Sequence, residues 1–220
     1  TLNMAVRWLK DTMLFPPLVE ANSDGLLAFG GDLSSERVLL AYENGIFPWY
    51  ETGQPTMWWS PDPRFVLYPY KLKISNSSKK LLKSNKFKVS VNRNFKDVIL
   101  ACARVKRTSQ TGTWITDKMI DVYCELNQLG LAKSVEVLVD DDLVGGFYGV
   151  QLNDTIFSGE SMFSYVSNAS KIGFITFVQN SKYKLIDCQL HTNHLESLGA
   201  EPISRLEFMK YLKPQRLLNN

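Results

Sequence analysis

Two carboxylates and one amide stand among apolar neighbours, where they could carry chemistry. Glu160 lies within residues 157–163, and Asp187 lies within residues 185–189, two positions before Gln189. A carboxylate in an apolar run must be paired, hydrogen-bonded or shifted in pKa. On a β-strand Asp187 and Gln189 would share a face, which would allow a carboxylate–amide relay. The alternative is that both acids are structural and are satisfied by backbone N–H groups or by an arginine.

Tryptophans in proline-rich sequence form a second candidate group. Residues 45–64 read GIFPWYETGQPTMWWSPDPR and hold three of the five tryptophans, including Trp49, and four of the nine prolines. So many prolines cannot lie in a regular helix or a central strand, so the segment is predicted to be an ordered, turn-rich wall. Trp114 lies in a separate short segment, GTWIT, directly before a predicted helix. These tryptophans either fill a core or present flat faces on which a nucleobase stacks.

The positive charge of the chain is concentrated in one stretch. The net charge is +3 over 220 residues, but residues 71–107 carry +11 and the remainder carries −8. This stretch has one acid, Asp97, and twelve basic residues: Lys71, Lys73, Lys79, Lys80, Lys83, Lys86, Lys88, Arg93, Lys96, Arg104, Lys106 and Arg107. Such a run is either a solvated face or the footprint expected for a phosphate backbone.

Composition indicates an ordinary soluble globular protein. The chain is 45% hydrophobic and 21% charged, and no stretch approaches the ~20 consecutive apolar residues of a membrane span. The first residues lack the apolar run of a signal peptide. Three cysteines without CxxC spacing predict reduced thiols and a cytoplasmic location. His191 and His194 have no partners in a metal-binding pattern, so no metal is expected.

Hydrophobic periodicity and capping residues predict alternating helices and strands. Helices are predicted at 35–44, 95–105, 117–129, 169–177 and 205–212, and their predicted caps are Ser34, Asn94, Thr116, Asn168 and Ser204. Strands are predicted at 87–91, 134–139, 143–150, 155–158 and 184–188. The glycine-rich residues 145–149 predict a bulge or a close approach of backbone to a ligand.

These elements predict an α+β protein with two domains. A small Trp- and Pro-rich N-terminal domain, residues 1–63, would end at the hinge-like Pro61-Asp62-Pro63. Residues 64–220 would form a catalytic domain with a mostly antiparallel central sheet flanked by helices. Its order of helices, antiparallel meander, helix and strand is that of an acetyltransferase-like (GNAT-type) fold, in which the sheet opens where the acyl donor binds. Fold alone does not determine function.

Several strings, in the same order, make the chain resemble one family. DGLLAFGGDLS, GIFPWY, WWSPDPR, GTWIT, LVGGFYGV, SGESMFS, NASK, LIDCQ and HLESLGA are similar to those of the bacterial leucyl/phenylalanyl-tRNA–protein transferases. They extend over residues 24–200, most of the chain. The resemblance implies transfer of Leu or Phe, and less readily Met, from aminoacyl-tRNA to the α-amine of a protein beginning with Arg or Lys. The product would be marked for degradation by the N-degron pathway.

The resemblance also implies roles for individual residues. Trp49 and Trp114 would hold the terminal adenosine, and Asp187, Gln189 and Glu160 would be catalytic. The lysines of a predicted helix, Lys79, Lys80 and Lys83, would hold the acceptor stem. The transferred side chain would enter a pocket of Phe147, Phe157, Met162, Phe174, Phe177 and Ile186. Phe at positions 147 and 174, where a relative has Met and Leu, predicts a bulkier pocket.

The chemistry implied by this resemblance is consistent with the residues. An aminoacyl ester is already activated, so no ATP, metal or cofactor is expected. The enzyme must place the acceptor amine, keep it unprotonated and stabilise the oxyanion. An apolar pocket distinguishes each methylene by only ~1–3 kcal/mol, which predicts a loose preference among Leu, Phe and Met. The sequence predicts a monomer that does not bind membranes.

Two other functions remain open at the level of sequence. An acyl-CoA-dependent N-acyltransferase would need a Gly-rich pyrophosphate loop opening a helix, and residues 167–171 are a poor version of one. A non-catalytic RNA-binding module would explain the basic run and the tryptophans, but not Glu160, Asp187 and Gln189. Covalent catalysis by Cys188 is disfavoured because no His follows it immediately.

Overall fold

A computed structural model of the chain describes residues 6–10, 13–105 and 113–212. Lys106 and Arg107 of the basic run, and Gly112 of GTWIT, lie outside the described residues. The helices are α1 Ser35–Glu43, α2 Asn76–Lys83, α3 Phe95–Arg104, α4 Asp117–Gln128, α5 Ala169–Asn180, α6 Asn193–Ser197 and α7 Arg205–Leu212. The strands are β1 Arg7–Leu9, β2 Leu26–Gly30, β3 Phe47–Pro48, β4 Met57–Trp59, β5 Arg64–Leu67, β6 Lys88–Val91, β7 Ala132–Val139, β8 Asp142–Asn153, β9 Ile156–Ser164, β10 Leu185–Gln189 and β11 Glu201–Ile203.

The first strands form a small four-stranded sheet in the order β1-β2-β4-β3. Its centre is Trp58, which is fully buried and donates its indole N–H to the Gly30 carbonyl at 2.9 Å. The neighbouring Trp59 donates to the carbonyl of Trp49 at 2.6 Å. Trp58 is therefore a core residue, whereas Trp59 fixes the backbone that carries Trp49.

The remaining strands form a seven-stranded sheet in the order β11-β5-β10-β9-β8-β7-β6. Every neighbouring pair is antiparallel except β9 and β10, which are parallel. Helix α5 packs on the sheet from one face, against β7, β8 and β9. The predicted α+β class, with a mostly antiparallel central sheet flanked by helices, is confirmed. The predicted boundary between residues 63 and 64 stays a prediction.

The parallel pair β9–β10 opens part of the way along the sheet. The two strands pair only from Leu185↔Ile156 to Asp187↔Ser158. Beyond Ser158, β9 continues to Ser164 beside β8, whereas β10 ends at Gln189, whose φ is +62°. The two strands therefore stop sharing hydrogen bonds just before Glu160 and Gln189. Beyond this point a gap opens between β9 and β10.

Most helix starts agree with their sequence signals, but one does not. The side chains of Ser34, Asn94 and Thr116 accept hydrogen bonds from the first turns of α1, α3 and α4. The prediction that Asn168 caps α5 in this way is wrong, because Asn168 has a left-handed backbone (φ +67°) and its side chain makes no cap hydrogen bond. The third predicted meander strand also runs further than expected, through Ser164, because β8 continues to pair with it.

The glycines of β8 make room for the protein itself. A Cβ at Gly145 would lie 2.6 Å from the Cβ of Ala169 on α5, and one at Gly146 would lie 2.4 Å from the carbonyl oxygen of Val135. The register of β8 against β9 also shifts between Tyr148 and Gly149. Tyr148 pairs with Ser161 and Gly149 pairs with Gly159, so the extra residue at this shift is Glu160 of β9. The bulge predicted within residues 145–149 is therefore on the partner strand, and the close approach is to α5 and β7. This approach seats the start of α5 over the side of β8 that carries Phe147.

Candidate active site

A cavity of about 580 Å³ lies at the gap between β9 and β10. It brings together nine of the residues predicted from the sequence: Trp49, Trp114, Phe147, Glu160, Met162, Phe174, Ile186, Asp187 and Gln189. Phe47 and Pro48 of the Pro-rich segment complete one wall. Residues that are far apart in the sequence therefore share one site.

The cavity reaches both faces of the sheet. Phe147 and Tyr148 are consecutive on β8 and both line it. The Phe147 ring lies 5.8 Å from that of Phe174 on α5, whereas the Tyr148 ring lies 5.3 Å from that of Tyr123 on α4. Since neighbouring strand residues point to opposite faces, the cavity has an α5 side and an α4 side that meet at the gap.

The α5 side is an apolar pocket. Phe147, Met162, Phe174 and Ile186 line it. The two other residues expected there lie behind this wall: Phe157 is fully buried, and Phe177 packs between Phe157, at 4.8 Å, and Phe147, at 5.4 Å between ring centroids. Phe157 and Phe177 thus support the pocket wall from behind.

The two predicted tryptophans line the same cavity. Trp114 is 8% exposed and belongs to the core that includes Tyr123 and Tyr148, which places it on the α4 side. Trp49 is partly exposed, and its ring lies 5.4 Å from that of Trp59. Both tryptophans pack against the core and also line the cavity, so the two interpretations of the sequence are not exclusive.

Asp187 is held in a buried ion pair. Arg64 donates from Nε to Oδ1 at 2.8 Å and from Nη2 to Oδ2 at 2.7 Å, and both side chains are almost fully buried. Ser158 donates to Oδ2 at 3.0 Å, and the backbone N–H of Gln189 donates to Oδ1 at 2.9 Å. Each carboxylate oxygen therefore accepts two hydrogen bonds.

The regular-strand geometry predicted for Asp187 and Gln189 is wrong. A register shift between them and the positive φ of Gln189 turn the amide away from the carboxylate. The Gln189 side chain instead donates from Nε2 to Oε1 of Glu160 at 2.8 Å. The carboxylate that the amide contacts is thus Glu160, and Asp187 contacts the backbone of Gln189.

Glu160 is the acid whose pKa is shifted by its surroundings. It stands at the gap, with Gln189 on one oxygen and the Tyr123 hydroxyl donating to the other at 3.2 Å. Burial, opposed by hydrogen bonds from Tyr42 and Tyr123, raises the pKa of Glu160 from its ordinary value of 4.5 to about 7. The nearby charge of Asp187 acts in the same direction as burial. A carboxyl group with this pKa exchanges a proton near neutral pH.

Two tyrosines behind Glu160 were not found from the sequence. The hydroxyls of Tyr42 on α1 and Tyr123 on α4 lie 2.7 Å apart and are buried. Burial and the charge of Glu160 raise the pKa of both phenols well above their usual range, so both stay neutral hydrogen-bond donors. No motif marks them, because a tyrosine at a helix position of apolar periodicity predicts only core packing.

Arg64 was also missed, although the sequence contains a signal for it. Besides its pair with Asp187, it donates to the Gly45 carbonyl at 3.2 Å, and its guanidinium lies 4.7 Å from the ring centroids of Phe47 and Phe208. A single cation in the apolar strand RFVL needs a buried partner, and Asp187 in LIDCQ needs the same. Pairing these two orphan charges would have predicted the contact.

The remaining polar candidates do not resemble nucleophiles or metal ligands. Burial and the charge of Asp187 raise the pKa of Cys188 far above its usual range, so its thiol stays protonated. His191 lies 3.0 Å from Glu196 on the surface. Within residues 6–10, 13–105 and 113–212, no three His, Cys, Asp or Glu side chains are grouped as metal ligands.

The predicted RNA-binding lysines lie on one short helix. Lys79, Lys80 and Lys83 are exposed on α2, and none of them makes an ion pair with any residue that the structure describes. Other members of the basic run are paired: Lys71 with Glu201 at 2.6 Å and Lys88 with Asp141 at 3.7 Å. The charge of the α2 lysines is therefore open to a ligand.

Comparison with known proteins gives consistent matches over most of the chain. Residues 66–213 match the family described as leucyl/phenylalanyl-tRNA protein transferase, and residues 31–62 match the N-terminal domain of that family. A leucyl/phenylalanyl-tRNA–protein transferase of Flavobacterium johnsoniae is 53% identical over 209 residues, covering 94% of this chain and 98% of that protein. One of Pseudomonas putida is 54% identical and covers 93% and 92%.

A solved structure with a lower similarity is a GCN5-related N-acetyltransferase from Kribbella flavida. It has a TM-score of 0.39 and 11% identity, over 75% of this chain and 59% of that chain. The described part of the present chain contains no helix with both the length and the apolar character of a membrane span.

Proposed function

The chain belongs to the leucyl/phenylalanyl-tRNA–protein transferase family, and we propose that it moves Leu or Phe, and less readily Met, from aminoacyl-tRNA to the N-terminal α-amine of proteins beginning with Arg or Lys. One observation supports this most strongly. Trp49 and Trp114, the polar pair Glu160–Gln189 and the apolar pocket of Phe147 and Phe174 all line one cavity. That arrangement suits a ligand with a base, a reactive ester and an apolar side chain.

The three parts of the donor are assigned to the three parts of the cavity. The terminal adenosine stacks on Trp49 and Trp114, since flat aromatic faces bind bases of any sequence. The transferred side chain enters the pocket on the α5 side, against Phe147 and Phe174. The ester carbonyl then lies between them, beside Glu160 and Gln189.

The reaction is an aminolysis of the ester, and its atoms and charges balance. The acceptor's α-ammonium first gives one proton to ionised Glu160, which yields a free amine. Its nitrogen attacks the ester carbonyl, so a C–N bond forms and a tetrahedral oxyanion appears. When the intermediate collapses, the C–O bond to ribose breaks, and the second proton of the nitrogen leaves with the ribose oxygen as a hydroxyl. Protonated Glu160 then releases its proton to solvent before the next turnover. Glu160 with a pKa of about 7 is suited to the first transfer near neutral pH.

Gln189 and Asp187 have different parts in this proposal. Gln189 contacts Glu160 directly and holds it toward the acceptor amine or the acceptor's basic side chain. Asp187 is engaged by Arg64, Ser158 and the Gln189 backbone, so it acts as a positioning residue for Gln189. Asp187 therefore supports catalysis without receiving the proton itself.

The body of the tRNA is proposed to lie against α2. Lys79, Lys80 and Lys83 form a cluster of exposed cations without carboxylate partners among the described residues. Lysines of this kind bind phosphates as point charges and release counterions from the nucleic acid. We further propose that the enzyme acts as a monomer in the cytoplasm and that its products enter the N-degron pathway. The three cysteines without CxxC spacing agree with that compartment.

One assay tests the proposed function. The protein is incubated with labelled Leu-tRNA and a peptide beginning with Arg, and transfer of label to the peptide is the expected result. A peptide of the same sequence beginning with Asp should remain unlabelled. Label arriving only from an acyl-CoA donor would support an acyl-CoA-dependent transferase. Tight tRNA binding without transfer from either donor would reduce the function to RNA binding.

A further inference from the structure

His194 lines the reaction cavity and has no assigned role. It is the second residue of α6, five positions after Gln189, and it faces the α5 side of the cavity together with Thr192 and Leu195. The hydroxyl of Thr192 caps α6 by accepting from the Leu195 N–H at 3.2 Å. The imidazole is therefore a polar group beside the aromatic rings of Phe147 and Phe174, with the hydroxyls of Ser170 and Thr192 also lining the cavity.

The imidazole carries a buried nitrogen without a partner. Nε2 of His194 is shielded from solvent and makes no hydrogen bond within the described parts of the chain. Burial and the positive charge of Lys171 on α5 lower the pKa of His194, so the ring is neutral at pH 7. A neutral imidazole has one nitrogen that donates and one that accepts. An unpaired buried nitrogen destabilises the fold, which suggests that a substrate supplies the missing partner.

The layout of the donor identifies that partner. With the ester carbonyl beside Glu160 and the side chain between Phe147 and Phe174, the α-carbon of the transferred residue lies at the pocket mouth. Its only other polar substituent is the α-amino group. Building on the proposed function, we propose that His194 binds the α-amino group of the aminoacyl donor and so selects α-amino acids over other acyl groups of the same shape.

A pair of donors and a pair of enzymes test this assignment. The donors are phenylalanyl-adenosine and 3-phenylpropionyl-adenosine, which differ only in the α-amino group. The enzymes are the parent and His194→Leu, and kcat/KM is measured with an Arg-starting peptide. The parent should prefer the amine-bearing donor by about three- to tenfold, the effect of one hydrogen bond. His194→Leu should lose that factor with phenylalanyl-adenosine and lose nothing with 3-phenylpropionyl-adenosine.

His191→Leu is the matched control. His191 lies three residues earlier, is exposed, contacts Glu196 and does not line the cavity. This variant should retain the preference of the parent. Melting temperatures of both variants show whether they are folded. If His194→Leu does not fold, His194→Met is measured in the same way and should lose the same factor with phenylalanyl-adenosine only. Equal use of the two donors by the parent would show that no group reads the amine.

Other outcomes would overturn the inference. Equal losses by His194→Leu on both donors would indicate a structural role, and an increase limited to the KM of the peptide would place the acceptor at His194. These results are distinct from failure of the proposed function. In that case the parent itself would transfer no amino acid from Leu-tRNA to the Arg-starting peptide.

Discussion

At the scale of residues, the site depends on how each polar group is paired. Asp187 and Glu160 are acids in apolar surroundings, but Asp187 has a buried guanidinium, whereas Glu160 has only an amide and hydroxyls. A guanidinium supplies a full compensating charge, and neutral donors do not. The raised pKa of about 7 therefore belongs to Glu160, and this makes it the proton acceptor of the proposed reaction.

The first prediction concerns Glu160. Because its pKa is raised to about 7, the rate of the parent should rise with pH through that value as the carboxylate forms. Glu160→Gln cannot accept a proton, so its kcat/KM should be lower and should lose this limb of the pH profile. Asp121→Asn, which neutralises an exposed acid on α4, should retain the profile.

Stability provides an independent measurement on the same variant. The folded state holds the Glu160 proton more tightly than the unfolded state, so the stabilisation is complete below about pH 4.5 and is lost as the pH rises to about 7. The melting temperature of Glu160→Gln relative to the parent should therefore rise across that window. A difference that stays constant between those pH values would contradict the raised pKa.

The second prediction concerns the tryptophans of the cavity. Trp49→Ala and Trp114→Ala should each weaken donor binding by ~1–3 kcal/mol through lost stacking. Aminoacyl-adenosine should be affected as much as whole tRNA, because both carry the stacked base. Trp8→Ala, at an exposed tryptophan outside the cavity, is the control. Unchanged KM values for aminoacyl-adenosine would return Trp49 and Trp114 to a purely structural role.

The third prediction concerns pocket size. Phe174 narrows the pocket opposite Phe147, with ring centroids 5.8 Å apart. Phe174→Leu removes ring volume and should shift the ratio of Phe to Leu transfer toward Phe, by an amount within the ~1–3 kcal/mol that apolar pockets provide. Competition between Phe-tRNA and Leu-tRNA measures the ratio, and a ratio that does not move would remove Phe174 from the pocket wall.

At the scale of elements, the opening of one strand pair creates the site. The hydrogen bonds between β9 and β10 stop at Ser158 and Asp187, and the next residues of each strand enter the gap. The bulge at Gln189, with its positive φ, turns the amide to Glu160. Helix α2 does not line the cavity, and its lysines are exposed, so their role can be tested separately.

The fourth prediction concerns α2. Lys79→Ala/Lys80→Ala/Lys83→Ala should raise the KM for aminoacyl-tRNA with little change in turnover at saturation, because the proposed phosphate contacts lie outside the cavity. The dependence of affinity on salt should become shallower, since fewer counterions are released. The triple variant Lys182→Ala/Lys184→Ala/Lys210→Ala removes the same exposed charge elsewhere and should retain the parent's slope. An unchanged slope in the α2 variant would place the RNA on another surface.

At the scale of the whole molecule, one arginine connects distant segments. Arg64 on β5 contacts the Gly45 carbonyl, Phe47 of the small sheet, Phe208 of α7 and Asp187 of β10. Trp49 comes two residues after Phe47. The contact between Arg64 and Phe47 therefore positions the cavity wall that carries Trp49 relative to the gap between β9 and β10. Tyr42 on α1 and Tyr123 on α4 make a second connection of the same kind, through Glu160.

The fifth prediction concerns the buried ion pair. Asp187→Asn and Arg64→Met each leave one buried charge uncompensated, so each should reduce the free energy of unfolding by about 3–5 kcal/mol. The double variant Arg64→Met/Asp187→Leu should recover much of that loss, because no lone charge remains. Denaturant unfolding measures both effects. An Asp187→Asn enzyme with the parent's stability but little turnover would instead make Asp187 a catalytic residue.

The sequence by itself determined most helices, the strands of the meander, the family and nine of the residues that line the cavity. Periodicity, caps and turns predicted the helices and the meander, since these depend on local interactions. The sequence also identified Trp49, Trp114, Glu160 and Gln189. Tryptophans, acids and amides with unusual sequence neighbours can be recognised without a structure.

Only the tertiary structure decided which groups are paired with which. Arg64 lies 123 residues before Asp187, and Tyr42 lies 81 residues before Tyr123. A bulge that reverses one residue's direction has no reliable sequence signal, so the contact between Gln189 and Glu160 was not predicted. Protonation follows from these contacts, because burial and neighbouring charge set a pKa and both depend on three-dimensional packing.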